Sequence, residues 1–194
     1  MNLLIVLQAL FVKLIDTLKL AGELGLLIRL ESMLQEQRQL SMFLPSEEKL
    51  RDTIERFLKE ANTEGRTRRR LFTDDASQGI GLLELAEKKY DVVLMNPPFG
   101  AGSLAAKKEF EEAYPKTKND IYAAFVERGI ELLLPRSRLG AITSRSGFFL
   151  SSFQKWREEI LLDKAPPVVF ADLGYGVLDS AMVETAAYCL EVAP

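Results

Sequence analysis

Strands and helices alternate along the chain from about residue 70 onward, and this alternation constrains the fold more than any other feature of the sequence. The segments "YDVVLM", "RLGAITS", "PVVFADLG" and "VETAAYCLEVA" have the β-branched or apolar character of strands. Helical patterns at "NDIYAAFVERGIELLL" and "SSFQKWREEILL" separate the first three of them. Such an alternation predicts an α/β fold with a mainly parallel sheet.

The two helical patterns have further local signals. Asn119 or Asp120 is expected to cap the first helix, and Pro135 lies just past its end. The second helix is also expected to be capped, with one buried face: Phe153, Trp156 and Ile160.

The first part of the chain has a different pattern and is mostly helical. Apolar residues recur there at alternating three- and four-residue spacing, which is typical of an amphipathic helix with one buried stripe: Leu4, Leu7, Phe11, Leu14 and Leu18. The uninterrupted apolar run is too short to span a bilayer, and it lacks the basic start of a signal peptide. We therefore expect residues 1–65 to form a helical segment that packs on the sheet, residues 66–194 to form the α/β portion, and no membrane contact.

Composition excludes several kinds of active site. The chain has no histidine, which removes His-dependent triads, imidazole bases and most zinc sites, so no metal is expected. The single cysteine, Cys189, fits a reducing cytoplasm. A net charge of -3 gives no overall basic footprint for nucleic acid, although a local patch could serve.

The corner that follows "YDVVLM" is the strongest candidate site. Ligands of open α/β sheets bind at the carboxyl ends of strands, and Asn96 stands there. Pro97 and Pro98 have fixed φ angles and no N–H, so the carbonyls of Asn96 and Pro97 are held ready to accept. With the Asn96 amide and the flat ring of Phe99, they suit a planar group that carries an NH₂, such as a nucleobase amine or a substrate amide. The plainer alternative is a turn that ends a strand, with Phe99 filling the core.

The stretch "DVVLMNPPFG" resembles the catalytic motif of S-adenosylmethionine-dependent amino-methyltransferases, (Asn/Asp/Ser)-Pro-Pro-(Tyr/Phe/Trp). The form led by Asn is typical of adenine-N6 DNA methyltransferases, and it also occurs in enzymes that methylate a glutamine amide or a guanine amine of ribosomal RNA. The stretch "DLGYGVLDSAMVETAAY" resembles the large adenine-specific methylases of phage-exclusion (BREX) systems. The likeness runs from about Gly22 onward and implies part of a Rossmann-like class I methyltransferase domain.

The resemblance assigns roles to the candidate residues. Asn96 and the Pro97 carbonyl would accept from the adenine N6 amine, in a motif completed by Pro98, and Phe99 would stack on a base flipped out of double-stranded DNA. The cofactor would be S-adenosylmethionine.

Three further positions follow from the same resemblance. Asp74 or its neighbour Asp75 could match the acidic position that contacts the adenine of the cofactor. Asp120 and Tyr122 would line the target pocket. Before the strand "RLGAITS", the sequence "LPRSRLG" departs from the family pattern, and we expect only a changed turn there.

The Gly-rich cofactor loop of the family is not evident before Tyr90. The stretch "VVFADLGYGVLDSA" could be a permuted cofactor motif, but it is better interpreted as a strand followed by a glycine turn. We therefore expect the isolated chain to be inactive and truncated, without its target-recognition domain. A non-catalytic interaction module and a methyltransferase for glutamine or RNA are the alternatives.

A missing neighbouring strand has a structural consequence. "YDVVLM" is expected to be buried on both faces, and without a partner strand it would be an exposed apolar edge. We expect this edge to be covered by the N-terminal helices, by a rearranged "RRLFT" strand, or by a second copy or partner subunit.

Overall fold

The computed structural model describes residues 25–27, 29, 85–86, 88–100, 107–178 and 183–194. The chain divides into two compact units, Met1–Glu87 and Lys88–Pro194. The first unit is described at a short 3₁₀ helix, Gly25–Leu27, and at a few further residues. The predicted helical segment 1–65, its boundary at residue 65 and the predicted strand "RRLFT" lie outside the described residues.

A four-stranded mixed sheet organises the second unit. Its spatial order is β1-β2-β4-β3, formed by β1 (Tyr90–Met95), β2 (Leu133–Ser144), β3 (Pro167–Gly174) and β4 (Thr185–Glu191). β1 and β2 are parallel, whereas β4 is antiparallel to both β2 and β3. The α/β class and the four predicted strands are confirmed. The sheet is expected to be mainly parallel. Three of its strands, β1, β2 and β3, run in one direction, and β4 runs in the opposite direction between β2 and β3.

The reversal of β4 follows from a short connection. A parallel crossover needs about a dozen residues or more. Residues 175–184 are fewer than that, so the chain returns antiparallel. β3 ends at Gly174, and Gly174 and Gly176 have φ angles of 70° and 79°. Such angles favour glycine, which confirms the interpretation of this stretch as a strand followed by a glycine turn.

Two helices connect β1 to β2, namely α1 (Lys107–Ala113) and α2 (Ile121–Glu131). α2 packs on the sheet through Tyr122, Val126 and Ile130, which recur every four residues and are buried. Asp120 is its N-cap, since the side chain accepts from the backbone N–H of Tyr122. The prediction of a helix capped by Asn119 or Asp120 is thereby confirmed with Asp120.

The predicted helix "SSFQKWREEILL" has a different form. It is a 3₁₀ turn, Ser151–Phe153, followed by a π-helical segment, Trp156–Leu162. The expected side-chain cap is absent from this part of the structure because the turn starts at Leu150, whose carbonyl accepts from the Phe153 N–H. The buried face is nevertheless as predicted, with Phe153, Trp156 and Ile160 in the core.

The segment "LPRSRLG" forms a bulge inside β2 rather than a changed turn before it. The pairing with β1 moves from Tyr90↔Leu133 directly to Val92↔Arg138. Pro135, expected just past the end of α2, lies inside this bulge, where its missing N–H interrupts no ladder. Arg136 has a φ of 64° there, and its N–H donates to the Val192 carbonyl at 3.1 Å.

The two faces of the sheet have different surroundings. One face packs against α2 and the π-helical segment in a core that includes Leu139, Ala141, Tyr188 and Leu190. The other, which we call the open face, carries Leu94, Gly140, Ile142, Val169, Ala171, Ala187 and Cys189, and these residues line a groove of about 610 Å³.

The prediction that β1 is buried on both faces is wrong for this part of the chain. Val93 and Met95 pack against the core, but Val92 is 58% exposed and Leu94 is 80% exposed. The reason is that the packed helices contact only one face of the strand. No helix in the described ranges has the length and apolar composition of a membrane span.

Candidate functional site

The Asn96–Phe99 corner leaves the carboxyl end of β1, beside the parallel strand β2. Asn96 and Pro98 are exposed, Pro97 is buried, and Phe99 is half-buried. Two successive prolines restrict the backbone between Asn96 and Phe99, so the amide and the ring are held close together at one edge of the sheet.

The polar groups of this corner are not engaged by other described residues. Within the described part of the chain, the Asn96 side chain has no hydrogen-bond partner, and the Pro97 carbonyl has none either. The exposed Asn96 amide and the unengaged carbonyl of the buried Pro97 are thus two adjoining acceptors.

Phe99 rests on a cluster of buried aromatic rings. Its ring meets Tyr122 edge-on at 6.1 Å, and Tyr122 in turn stacks on Phe153 at 5.6 Å and meets Trp156 edge-on at 5.9 Å. Such edge-on and offset arrangements are the favourable geometries of aromatic pairs. Burial raises the pKa of the Tyr122 hydroxyl, so this residue remains neutral at physiological pH. Phe99 therefore packs edge-on against a buried, neutral aromatic residue.

Asp120 connects the corner to α2. Its Oδ1 accepts from the Gly100 N–H at 2.9 Å and from the Tyr122 N–H at 3.2 Å. The Ile121 N–H donates to the Gly100 carbonyl at 2.8 Å. Burial raises the pKa of Asp120, and the backbone donors oppose this shift only in part.

A second group at the same edge was missed by the sequence reasoning. Arg145, just past β2, pairs with Asp172 at 2.6 Å and with Glu184 at 2.8 Å. Its guanidinium lies 5.3 Å from the ring centroid of Phe149, which is 64% exposed. The available signal was topological, because the ends of β2 and β3 and the start of β4 meet at one edge. Two carboxylates balance this arginine, so it is not an unpaired phosphate-binding cation.

The structure thus brings together most of the predicted site residues. Asn96, Pro97, Pro98 and Phe99 form the corner, and Asp120 and Tyr122 stand at the start of the helix that holds it; Asp74 and Asp75 lie outside the described residues. The groove on the open face reaches Asn96, and its lining is almost entirely apolar.

Comparisons with known proteins support the resemblance found in the sequence. An adenine-specific methyltransferase BrxX from Escherichia coli O9:H4 (strain HS) is 31% identical over 110 residues, which cover 54% of this chain and 9% of that protein. An adenine-specific methyltransferase PglX from Lacticaseibacillus casei (strain Zhang) is 29% identical over 109 residues, covering 53% and 9%. The chain thus matches about a tenth of the length of these relatives.

Similar solved structures include two methyltransferases. A protein described as a class I S-adenosylmethionine-dependent methyltransferase from Listeria monocytogenes has a TM-score of 0.46 and 20% identity, over 61% of this chain and 41% of that one. A protein described as an S-adenosylmethionine-dependent methyltransferase from Streptococcus mutans has a TM-score of 0.32 and 18% identity, over 54% and 26%.

A family model covers the larger part of the chain. The model of the Eco57I restriction-modification methylase matches residues 10–171, well over half of the sequence and including the Asn96–Phe99 corner. With the two adenine-specific relatives, this match confirms the family inferred from the Asn-Pro-Pro-Phe motif and its downstream segments. The chain belongs to the Eco57I restriction-modification methylase family.

Proposed function

We propose that Lys88–Pro194 forms the target-amine half of an adenine-N6 DNA methyltransferase domain. The observation that carries this proposal is the exposed Asn96 amide, without a hydrogen-bond partner in the described residues, at the carboxyl end of β1. The names of the relatives agree with an adenine target, and the restriction-modification family agrees with DNA as the partner.

The corner suits the chemistry of an aromatic amine. The lone pair of adenine N6 is delocalised into the ring, which makes the amine a weak nucleophile. The Asn96 Oδ1 and the Pro97 carbonyl would accept hydrogen bonds from the two N–H groups of the adenine N6 amine. They would thereby draw N6 towards a tetrahedral geometry and localise its lone pair. Phe99 would stack on the base after it leaves the duplex. The residues of the chain then act by placement and by oriented dipoles, without a strong base.

The methyl donor of the proposed reaction is S-adenosylmethionine, but the described residues do not fit it. The groove that reaches Asn96 is lined by side chains such as Leu94, Ile142 and Val169. It offers no carboxylate for ribose hydroxyls and no cluster of donors for the amino-acid end of the cofactor. The residues described here therefore account for the target amine and not for the donor.

Recognition of the amine can be tested without a cofactor. The probes are two single-stranded oligonucleotides that differ at one central base, adenine in one and purine in the other, so that no duplex must be opened. Two-dimensional nitrogen-edited NMR would follow the backbone amides of Phe99 and Gly100, which the unchanged chain and the Asn96 variant both retain. We expect adenine to bind several-fold more tightly than purine, because only adenine donates to Asn96 and Pro97. Asn96→Ala should remove most of this preference, because only the Pro97 carbonyl then remains to accept from the amine.

The same experiment discriminates between targets. A Gly-Gly-Gln peptide and a guanine-containing RNA oligonucleotide serve as competitors, because a glutamine amide or an RNA amine is the alternative substrate. We expect neither to displace the adenine oligonucleotide at equal concentration. Equal binding of adenine and purine, or preferential binding of the peptide, would refute the proposed function.

A further inference from the structure

We infer that Asp120 is a positioning residue that sets the geometry of the Asn96–Phe99 corner by holding the backbone of Gly100. The inference rests on the proposed function, in which the corner binds the target amine. It differs from a role for Asp120 as a lining residue of the target pocket, since the contacts of its Oδ1 in the structure are to the backbone.

The contacts to Gly100 come from two sides. Its N–H donates to Asp120 Oδ1 at 2.9 Å, and its carbonyl accepts from the Ile121 N–H at 2.8 Å. Both backbone polar groups of this glycine are therefore fixed by the start of α2. Gly100 has a φ of 112°, in a region that other residues rarely adopt. These two hydrogen bonds therefore hold an unusual backbone conformation.

A fixed Gly100 determines the position of the residues before it. Pro97 and Pro98 have little φ freedom, so the backbone dihedral angles that can still vary are mainly those of Asn96, Phe99 and Gly100. Phe99 is additionally held edge-on against Tyr122, two residues along the chain from Asp120. The start of α2 thus contacts both the Phe99 ring and Gly100, the residue that follows the corner.

The neighbouring residue extends the same arrangement to the loop after β2. The side-chain amide of Asn119 donates to the Ser152 carbonyl. Ser152 precedes Phe153, whose ring stacks on Tyr122. The start of α2 is therefore a common anchor for the loops that follow two adjacent parallel strands.

The contact needs an oxygen acceptor on a short side chain, and it does not need a charge. Asparagine retains one side-chain oxygen at the position of Oδ1 and is also a good helix N-cap. Alanine removes the acceptor and leaves the Gly100 N–H without its partner. A substitution series at position 120 therefore separates the hydrogen bond from the charge.

The experiment compares Asp120→Ala, Asp120→Asn and the unchanged full chain by amide hydrogen exchange and by the adenine-versus-purine titration. We expect Asp120→Ala to exchange the Gly100 amide at least tenfold faster and to lose most of the preference for adenine. Asp120→Asn should retain both properties.

The matched control is Thr117→Val. Thr117 lies just before α2, and the substitution removes the buried hydrogen bond that its Oγ1 donates to Glu127 of α2. It should lower unfolding stability while it leaves Gly100 exchange and adenine preference unchanged.

The outcomes separate the two proposals. If Asp120→Ala leaves Gly100 protected, or if Thr117→Val weakens adenine preference as much as Asp120→Ala does, the inference about Asp120 is overturned. If the unchanged chain does not distinguish adenine from purine, the proposed function fails, and Gly100 exchange still decides whether Asp120 holds the turn. Loss of both properties in Asp120→Asn would show that charge rather than the acceptor matters, which also contradicts the inference.

Discussion

Asp120 should make the stability of the chain depend on pH in a definite direction. Burial raises the pKa of this carboxyl above its ordinary value of 3.8, because the charged form is desolvated. As pH rises through 3.8, the carboxyl ionises first in the unfolded chain, so the native state loses stability until its own pKa is passed. Asp120→Asn removes this titration. We expect the free energy of unfolding of the variant, relative to the unchanged chain, to increase across that range.

Urea unfolding at several pH values from 3 to 7 would measure this effect, with Asp163→Asn as the control because Asp163 is exposed. A difference that does not vary with pH, or one that favours the unchanged chain as pH rises, would contradict the prediction.

Gly147 should tolerate no side chain, because it lies against the aromatic cluster that supports Phe99. A Cβ at this position would collide with the Tyr122 hydroxyl and would lie 2.8 Å from Cζ3 of the Trp156 ring. Both residues are fully buried, so neither ring can move aside into solvent. We expect Gly147→Ala to lower the free energy of unfolding by about 1–3 kcal/mol, the usual cost of overpacking a core.

Gly140→Ala is the matched control for Gly147→Ala. Its added Cβ meets only Cδ2 of Leu94, at 2.7 Å, and that exposed side chain can move away. The expected change is within about 0.5 kcal/mol. Equal losses in the two variants would show that space around the aromatic cluster is not the cause.

At the scale of the elements, the sequence predicted strands better than it predicted their surroundings. Period, β-branching and flanking turns are local properties, and "PVVFADLG" coincides with β3. The bulge in β2 depends on how Leu133 and Arg138 pair with β1, which no local pattern encodes. The exposure of Leu94 depends likewise on which helices pack against the sheet. The motif identified the corner, whereas its connection through Gly100 to Asp120 spans 20 residues and required the structure.

The two faces of the sheet should differ in their contribution to stability. Leu139 on β2 is fully buried in the core, whereas Leu94 on the neighbouring strand β1 is 80% exposed on the open face. We expect Leu139→Ala to cost about 2–5 kcal/mol, because it leaves a cavity. In the monomer, Leu94→Ala should cost less than about 0.5 kcal/mol, because the side chain is then in solvent. Urea denaturation of the two variants at a protein concentration too low for self-association compares the same chemical change on opposite faces, and similar losses would show that the open face is covered within the single chain.

At the scale of the whole molecule, two features of the sheet have no neighbour among the described residues, namely the open face and the outer edge of β1. β3, at the other edge, is exposed along nearly its whole length. Large apolar surfaces and open strand edges favour association, and natural proteins seldom leave them uncovered. Coverage of the β1 edge by the N-terminal helices, by a rearranged "RRLFT" strand, or by a second copy or partner subunit therefore stays a prediction.

Self-association of the chain tests whether a second copy covers the open face beside this edge. We expect the average mass in sedimentation equilibrium to rise with protein concentration, because Leu94, 80% exposed, would become buried between copies. Burial of one leucine side chain contributes about 1.5–3 kcal/mol, so Leu94→Lys should weaken association at least about tenfold. Leu150→Lys is the control, since Leu150 is 51% exposed but lies outside the sheet. A constant monomer mass for the unchanged chain, or an equal effect of both substitutions, would exclude the open face as the contact between copies.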